Sequence, residues 1–408
     1  MSSQVINGVS ERMTSMEIRA SASLAGIFAL RMLGLFLLLP IFAEHAKTMP
    51  GGDNLAMVGL AMGIYGLAQA FCQIPFGIFS DRYGRKPVII AGLIMFAIGA
   101  VIAALANNVL WIVVGRALQG AGAISAAVMA LISDATREQH RTKAMAMVGG
   151  SIGITFALSM VGAPLLYKAI GMSGIFWMTA FLALVSIAVV RYLVPDVPAV
   201  VARRVALRDV LKNRELLRLN FGVFVLHLTQ VAIFIVVPSA LVHAMDLPVT
   251  AHWKVYLPVV LASFILMLPP IFVGEKLGKI KQIFVAAIML LLAVQLGLWW
   301  WLAQANSPTW LLIGLLLAFF IAFNILEASQ PSLVSRIAPP AAKGTALGVY
   351  NTLQSLGVFC GGALGGWLVQ HAGRSAVFQA GAGMTVLWLI MAVSMKNLPR
   401  RSQAAVAA

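Results

Sequence analysis

Charged residues are scarce in this chain, and acidic residues are the scarcest. Only 10% of the 408 residues are charged, with 29 Lys and Arg against 13 Asp and Glu, while 61% are hydrophobic. Soluble domains carry about 25% charged and roughly 45 to 50% apolar residues. A soluble core could not bury this apolar surplus, so the composition excludes an ordinary soluble protein.

Cysteine is also rare, and the common catalytic motifs are missing. Cys72 and Cys360 both fall inside apolar runs without CxxC spacing, which argues against a disulfide framework or a zinc site. The chain has no P-loop, HExxH or GxSxG motif and no pair of acids at metal-ligand spacing. We therefore predict that the protein is not an enzyme and uses neither metal nor cofactor.

Long apolar runs fill most of the chain instead. Each has about 20 residues, enough to cross roughly 30 Å of hydrocarbon as a helix. We predict an all-α polytopic membrane protein with twelve transmembrane helices in the lipid bilayer. The predicted spans are residues 20–43, 55–79, 88–106, 109–133, 144–168, 173–194, 219–242, 253–273, 282–304, 309–333, 344–370 and 375–395.

The longest polar connection, residues 195–218, divides these spans into two groups of six. The predicted units are a cytoplasmic N-terminal segment (1–19), an N-terminal six-helix half (20–194), a cytoplasmic linker (195–218), a C-terminal six-helix half (219–396) and a cytoplasmic tail (397–408). Residues 207–219 of the linker predict either an amphipathic helix on the inner leaflet or a solvated connection.

Basic residues are distributed unevenly between the two sides of the membrane. A net charge of +16 would suggest nucleic-acid binding in a soluble protein. Here only Lys47, Lys168, Lys254 and Arg374 fall in the loops of one side, and all other loop Lys and Arg fall on the other. Since Lys and Arg in short loops stay in the cytoplasm, we predict that both termini are cytoplasmic, and we expect no nucleic-acid partner.

A short basic loop separates the second and third predicted spans. It reads Gly-Ile-Phe-Ser-Asp-Arg-Tyr-Gly-Arg-Lys-Pro over residues 77–87. The loop after the eighth span, residues 274–281, repeats its order of acid, base, glycine and base, with Glu275 in the place of Asp81. This weak repeat predicts two parallel halves, as in many transporters; a chance similarity of two basic loops is the alternative.

Four ionisable side chains lie well inside predicted spans. They are Arg31, Arg116, His227 and Glu327, in spans 1, 4, 7 and 10. Each costs free energy in hydrocarbon, at least about 2.5 kcal/mol for arginine. Because these spans are the first helices of four successive three-helix repeats, symmetric packing would bring the four side chains to one central cavity. For each, the alternative is a structural polar residue bonded to a neighbouring carbonyl.

The chemistry of these groups suggests their roles. Arginine stays charged in proteins, whereas Glu327 and His227 can change protonation state. We therefore predict Glu327 and His227 as proton-coupling candidates. The predicted residues of the central cavity are Arg31, Arg116, Gln119, Gln69, Asn324, Asn351 and Gln354.

These motifs resemble those of the major facilitator superfamily. Residues 77–86 are similar to its signature loop between helices 2 and 3, and residues 116–122 resemble the helix-4 motif of proton-coupled members. Residues 30–34 and 252–257 resemble YajR-like proteins of the drug:proton antiporter branch. The resemblance implies alternating access by a multi-pass protein of the bacterial inner membrane.

The resemblance also implies a role for the signature loop. In relatives, the acid that matches Asp81 meets the start of helix 11, here near Gly344, and stabilises the outward-open state. This is physically reasonable because a helix N-terminus favours an anion. The predicted conformational-switch residues are Gly77, Asp81, Arg82, Gly84, Arg85 and Lys86.

Together, the residues and the resemblance predict a secondary active transporter that exports small, amphipathic molecules in exchange for protons. Uptake or facilitated exchange of a nutrient or metabolite by the same fold is the first alternative. A membrane sensor or enzyme that transports nothing is the second. We expect a monomer whose partners are a small-molecule substrate, protons and the bilayer.

Overall fold

A computed structural model describes residues 13–196, 207–304, 307–339 and 342–396. The predicted N-terminal segment before residue 13, the middle of the linker and the tail from residue 397 lie outside the described residues. The helices are α1 (Ser15–Phe36), α2 (Phe42–Ala46), α3 (Leu55–Tyr83), α4 (Arg85–Ala104), α5 (Val109–Ala121), α6 (Ser125–Ala135), α7 (Glu138–Tyr192), α8 (Leu207–Lys212), α9 (Arg214–Met245), α10 (Trp253–Leu277), α11 (Ile280–Ala303), α12 (Thr309–Ile337), α13 (Lys343–Ala372) and α14 (Arg374–Val393).

Helix α7 contains two of the predicted spans. Eleven described segments are long and apolar enough to cross a membrane, and one of them has 50 residues, roughly 75 Å at 1.5 Å per residue. Near its start, the Arg137 backbone N–H donates to Glu17 at 2.9 Å. Beyond its end, the Leu193 carbonyl accepts from Arg19 at 2.7 Å. Both ends of α7 therefore reach the start of α1, and the segment is a hairpin that brings the number of crossings to twelve.

Single glycines make the sharp turns between successive helices. Gly171 inside α7 has φ 66° and ψ −177°, Gly84 between α3 and α4 has φ 95° and ψ 154°, and Gly373 between α13 and α14 has φ 85° and ψ 167°. This backbone region is open essentially to glycine alone. Gly278, between α10 and α11, also has a positive φ of 68°. Gly84 and Gly278, and likewise Gly171 and Gly373, hold equivalent places in the two halves.

A pair of arginines shows the same repeat in side-chain contacts. Arg19 near the start of α1 donates to the Leu193 carbonyl after the last helix of the first half, at 2.7 Å. Arg218 near the start of α9 donates to the Ser394 carbonyl after the last helix of the second half, at 3.0 Å. A cation near a helix C-terminus is favoured by the unpaired carbonyls there. The two halves therefore repeat one architecture, as the basic loops predicted.

The helix bundle has two ends, and each carries a different set of turns. We call the end with the turn at Gly84 and the starts of α1 and α9 the basic face. We call the end with α2 and the turn at Gly171 the opposite face. The predicted cytoplasmic side corresponds to the basic face.

The two halves meet along a seam of glycines between α3 and α13. A Cβ added to Gly59 would lie 2.2 Å from the Gly362 carbonyl oxygen, and one added to Gly63 would lie 3.2 Å from Gly362 Cα. A Cβ on Gly366 would lie 2.8 Å from Gly59 Cα. Such contacts let two helix backbones touch, which side chains would prevent.

Further contacts between the halves lie at the opposite face and in the middle of the bundle. Lys47, after α2, donates to Ser239 of α9 at 3.3 Å. The rings of Phe156 in α7 and Phe323 in α12 lie 5.2 Å apart. Towards the basic face the last described hydrogen bond between the halves is the 3.5 Å contact from Gln73 to the Gly348 carbonyl. Among the described residues, the contacts that hold the halves together therefore lie mainly in the middle of the bundle and towards the opposite face.

Candidate functional site

Arg31 of α1 is buried in the middle of the N-terminal half. Its Nη1 donates to Ser125 Oγ at 2.8 Å, and its Nη2 donates to Gln69 Oε1 at 3.1 Å. Only 2% of the side chain is exposed. The predicted neighbours Arg31 and Gln69 are thus in direct contact, and both acceptors are neutral.

Arg116 of α5 lies beside it. Its Nη1 donates to Gln119 Oε1 at 2.9 Å and to the Gly34 carbonyl at 3.1 Å. The one-turn spacing of Arg116 and Gln119 in the helix-4 motif therefore brings the two side chains into a hydrogen bond. The ring of Tyr65 in α3 faces both cations, with its centroid 4.7 Å from the Arg116 guanidinium carbon and 5.5 Å from that of Arg31. We call Arg31, Arg116, Tyr65, Gln69 and Gln119 the arginine cluster.

A break between α5 and α6 positions Ser125 for this cluster. Helix α5 ends at Gly122, whose φ of −69° and ψ of 51° leave the helical region. A Cβ on Gly122 would lie 2.3 Å from the Gly92 carbonyl oxygen, so α4 touches the chain here. The new helix then starts at Ser125, which turns the hydroxyl towards Arg31.

The C-terminal half holds a second polar group around His227 of α9. His227 Nδ1 lies 3.0 Å from the Val223 carbonyl oxygen, and Nε2 lies 2.7 Å from Gln354 Nε2 of α13. Glu327 Oε2 of α12 lies 3.6 Å from the same Nε2. We call Glu327, His227 and Gln354 the acid cluster, and these three predicted residues do come together.

The imidazole lies between a backbone carbonyl and the Gln354 amide. A carbonyl only accepts, so His227 Nδ1 carries a hydrogen. Glu327 Oε2 has no hydrogen-bond partner, although 23% of the Glu327 side chain is exposed. Glu327 is therefore the member of the cluster with free capacity for a proton.

The other predicted cavity residues flank the acid cluster. Asn324, one turn before Glu327, donates to Ser263 of α10 at 3.1 Å. Asn351, one turn before Gln354 on α13, is partly exposed. Tyr350 beside it is only 2% exposed, and its hydroxyl has no partner.

The structure thus groups the four intramembrane ionisable residues in two clusters, one in each half. Arg31 and Arg116 lie within the N-terminal half, and His227 and Glu327 lie within the C-terminal half. Among the described side chains, no ion pair joins the two clusters. Sequence reasoning missed Tyr65, although its position one turn before Gln69 on the same helix face could have shown it.

The signature loop is built around Arg85. Its guanidinium donates to Asp134 at the end of α6 at 3.0 Å and to Ser80 at 2.9 Å, and it also pairs with Asp81. Asp134 is a partner that sequence reasoning missed, because an acid at the end of a predicted span looks like a solvated residue. The loop is therefore fixed to α6 of its own half.

Lys86, the next residue, pairs with Asp196 at 2.6 Å. This hydrogen bond and the charge of Lys86 lower the pKa of the Asp196 carboxyl. Asp196 lies at the start of the predicted linker (195–218), so the loop also contacts the connection between the halves. Arg82 stacks on the ring of Tyr83 with 5.4 Å to the centroid.

Asp81 does not meet the start of helix 11 in this conformation. Its described partner is Arg85, and a Cβ on Gly344 would meet nothing within 4 Å. The expected partner helix begins at Lys343, as predicted. The contact inferred from relatives is therefore not made in this conformation, and the described contacts between the halves lie mainly away from this side. Glu275 of the second loop has a side chain outside the described residues.

Two repeated six-helix halves with buried polar clusters on their inner helices are the architecture of a large class of membrane transporters. The family comparison agrees. Residues 23–361 match the Major Facilitator Superfamily, and the chain belongs to that superfamily.

Individual relatives are also transporters. The chain is 45% identical over 394 residues to the inner membrane transport protein YajR of Escherichia coli, covering 95% of this chain and 86% of that protein. It is 25% identical to the multidrug resistance protein MdtH of Photorhabdus laumondii, over 83% of each. A crystal structure of a bacterial homologue of the human lysosomal transporter Spinster, inward-facing and occupied, shares the fold at 13% identity, with a TM-score of 0.68 over 94% of this chain and 96% of that chain.

Proposed function

We propose that the protein exports small, amphipathic molecules across the inner membrane in exchange for protons. The observation that carries the proposal is Glu327: a carboxyl group on a transmembrane helix, with one oxygen that has no hydrogen-bond partner and a histidine ring nitrogen 3.6 Å away. An intramembrane acid that takes up a proton becomes neutral, which removes a costly charge from the bundle. It can release the proton when the other side of the cavity is hydrated.

His227 then acts as the neighbour of the proton site. Both ring nitrogens of His227 lie close to hydrogen-bonding neighbours, 3.0 Å from the Val223 carbonyl oxygen and 2.7 Å from the Gln354 amide. Glu327 Oε2 has no hydrogen-bond partner. Glu327 is therefore the first proton-coupling residue and His227 the second.

The orientation follows from charge. If the basic face lies in the cytoplasm, the conformation described, held together on the opposite side, is open towards the cytoplasm. The contact of Asp81 with the start of α13 then belongs to the alternate, outward-open conformation. Rocking of the two halves would make the contact and break the glycine seam in one motion.

The relatives support transport across the inner membrane and, for MdtH, drug efflux. YajR is named an inner membrane transport protein, and MdtH a multidrug resistance protein. Export of amphipathic compounds in exchange for protons is consistent both with the names of these relatives and with an acid, Glu327, inside the membrane.

The test uses Glu327→Gln in everted membrane vesicles, with a compound found by a resistance screen of a deletion strain. We expect loss of proton-driven uptake into the vesicles, while exchange of labelled for unlabelled compound continues, because exchange needs no proton release. Glu215→Gln, a change at an acid that pairs with Arg218 at 2.6 Å outside the cluster, is the matched control. Full proton-driven transport by Glu327→Gln would reject the assignment.

A further inference from the structure

The arginine cluster holds two positive charges without a negative one. Every described hydrogen bond of Arg31 and Arg116 goes to a neutral oxygen, and neither guanidinium has an ion pair with a described acid. Arginine cannot lose its proton in a protein. Buried cations normally require a paired anion, because desolvation is otherwise uncompensated.

The same cluster has hydrogen-bond donors to spare. Arg31 Nε, Arg116 Nε, the Tyr65 hydroxyl and Gln119 Nε2 are all buried and have no partner. Arg31, Arg116, Tyr65 and Gln119 are each at most 2% exposed. All four atoms donate, and only the hydroxyl can also accept. The cluster therefore lacks a hydrogen-bond acceptor. Because the two guanidiniums are positively charged, an anionic acceptor would form the strongest hydrogen bonds with them.

The cluster lies close to the seam that must separate during transport. Gly66, the residue after Tyr65, packs against α13, where a Cβ would lie 2.3 Å from the Ser355 carbonyl oxygen. Gln69 is one turn further on, and Gln73, a turn beyond that, contacts the Gly348 carbonyl. When α3 and α13 part, this edge of the cluster is uncovered to the space between the halves.

We propose that the arginine cluster binds an anionic group of the substrate, so that the transported molecules are amphipathic organic anions such as carboxylates. The proposal rests on the proposed transport function and specifies its substrate class. The spare donors of the two guanidiniums and of Gln119 would hold the anionic group, with the Tyr65 ring beside them and the apolar part of the substrate in the space that opens between the halves. Exchange of a monovalent anion for one proton moves two elementary charges per cycle.

The first test measures binding. Purified protein in nanodiscs of zwitterionic lipid is heated with naphthalene-2-carboxylate, naphthalene-2-methanol or naphthalene-2-methylamine, which share one apolar body and differ in charge. We expect saturable thermal stabilisation by the carboxylate alone, weakened about tenfold or more in Arg31→Gln, since a charge-assisted hydrogen bond is lost. Stabilisation by the alcohol or amine equal to that by the carboxylate, no carboxylate effect, or an equal effect of sodium chloride or phosphate would overturn the proposal.

The second test supplies the missing acid from the protein. Ser125 Oγ already lies 2.8 Å from Arg31 Nη1, so Ser125→Asp places a carboxylate in the cluster. We expect this variant to unfold at a higher temperature than Ser125→Asn, which has the same size without the charge, and to lose the carboxylate stabilisation. Carboxylate binding by Ser125→Asp as strong as by Ser125→Asn would contradict the proposal.

The two proposals can fail separately. Glu327→Gln should still bind naphthalene-2-carboxylate, because the acid cluster lies in the other half. Carboxylate binding without proton movement would remove proton coupling and leave the substrate class intact. Proton-coupled transport of only neutral or cationic compounds would remove the anionic substrate class and leave proton coupling intact.

Discussion

Replacing Gly362 with alanine should shift the protein away from the conformation described here. A Cβ at this position would lie 2.4 Å from the Gly59 carbonyl oxygen and 2.6 Å from the Gly63 amide nitrogen. Both neighbours are backbone atoms of the other half, which cannot turn aside. The two helices must therefore separate by about 1 Å to reach ordinary van der Waals contact.

The added methyl group raises the free energy of one conformation only, the one in which α3 and α13 are in contact. Overpacking of a tight contact costs about 1 to 3 kcal/mol, and the α3–α13 seam exists only while the opposite face is closed. The alanine destabilises that state and leaves the state with the open seam unchanged. A bias of this size changes the ratio of the two states by roughly 5-fold to 150-fold.

Thiol labelling measures the shift. Cys72 and Cys360 are first replaced by serine, and a single cysteine is introduced at Ser239, which is 4% exposed beside Lys47. We expect Gly362→Ala to increase the labelling rate at position 239 by at least about fivefold.

Gly361 provides the matched control. It is the preceding residue on α13, but a Cβ there would lie 2.3 Å from the Leu228 carbonyl oxygen of its own half. Gly361→Ala should lower the unfolding temperature and leave labelling at position 239 unchanged. Equal behaviour of the two alanine variants would refute the view that Gly362 belongs to a seam that opens.

Other contacts lead to three more expected outcomes. Gly171→Ala should destabilise the protein by roughly 1 to 3 kcal/mol in a detergent unfolding assay, because its φ of 66° is strained for alanine; Gly162→Ala, in open space on the same helix, should cost far less. Asp81→Asn should impair transport at normal expression, and unaltered transport would count against a switching role. Asp134→Asn should also impair transport at normal expression, because Arg85 loses the carboxylate at 3.0 Å that holds the loop. Normal transport by this variant would show that Asp134 has no role in switching.

Apolar run length predicted the number and order of the membrane crossings. Some predicted bounds were wrong: the first span was predicted to end at residue 43, whereas α1 ends at Phe36. Other helices extend beyond their spans, since the second span ends at residue 79 and α3 continues to Tyr83. Hydropathy reports only the part that crosses hydrocarbon, and a helix continues beyond it while its backbone hydrogen bonds can form. Gly171 lies between the predicted spans 144–168 and 173–194, and its backbone conformation makes the turn there.

The side-chain partners were harder to predict. Glu327 and His227 lie 3.6 Å apart in one half, and Arg31 and Arg116 lie in the other. The sequence predicted one central group of these four ionisable residues. Tyr65 sits in an apolar run, where a tyrosine is normally interpreted as a packing residue. Only its place one turn before Gln69 on the same helix face pointed to the arginine cluster. Gly362 of α13 faces α3 in the other half, whereas Gly361 faces α9 in its own half. The spacing of glycines along one helix cannot show which helix packs on each face.

The central claim is that substrate and protons move in opposite directions. The direct measurement uses proteoliposomes with an imposed pH gradient, an internal pH dye and a labelled substrate identified by the resistance screen. Protons should move against the direction of substrate, and Glu327→Gln should abolish both fluxes. Substrate and protons moving in the same direction would contradict export by proton exchange and favour uptake by the same fold.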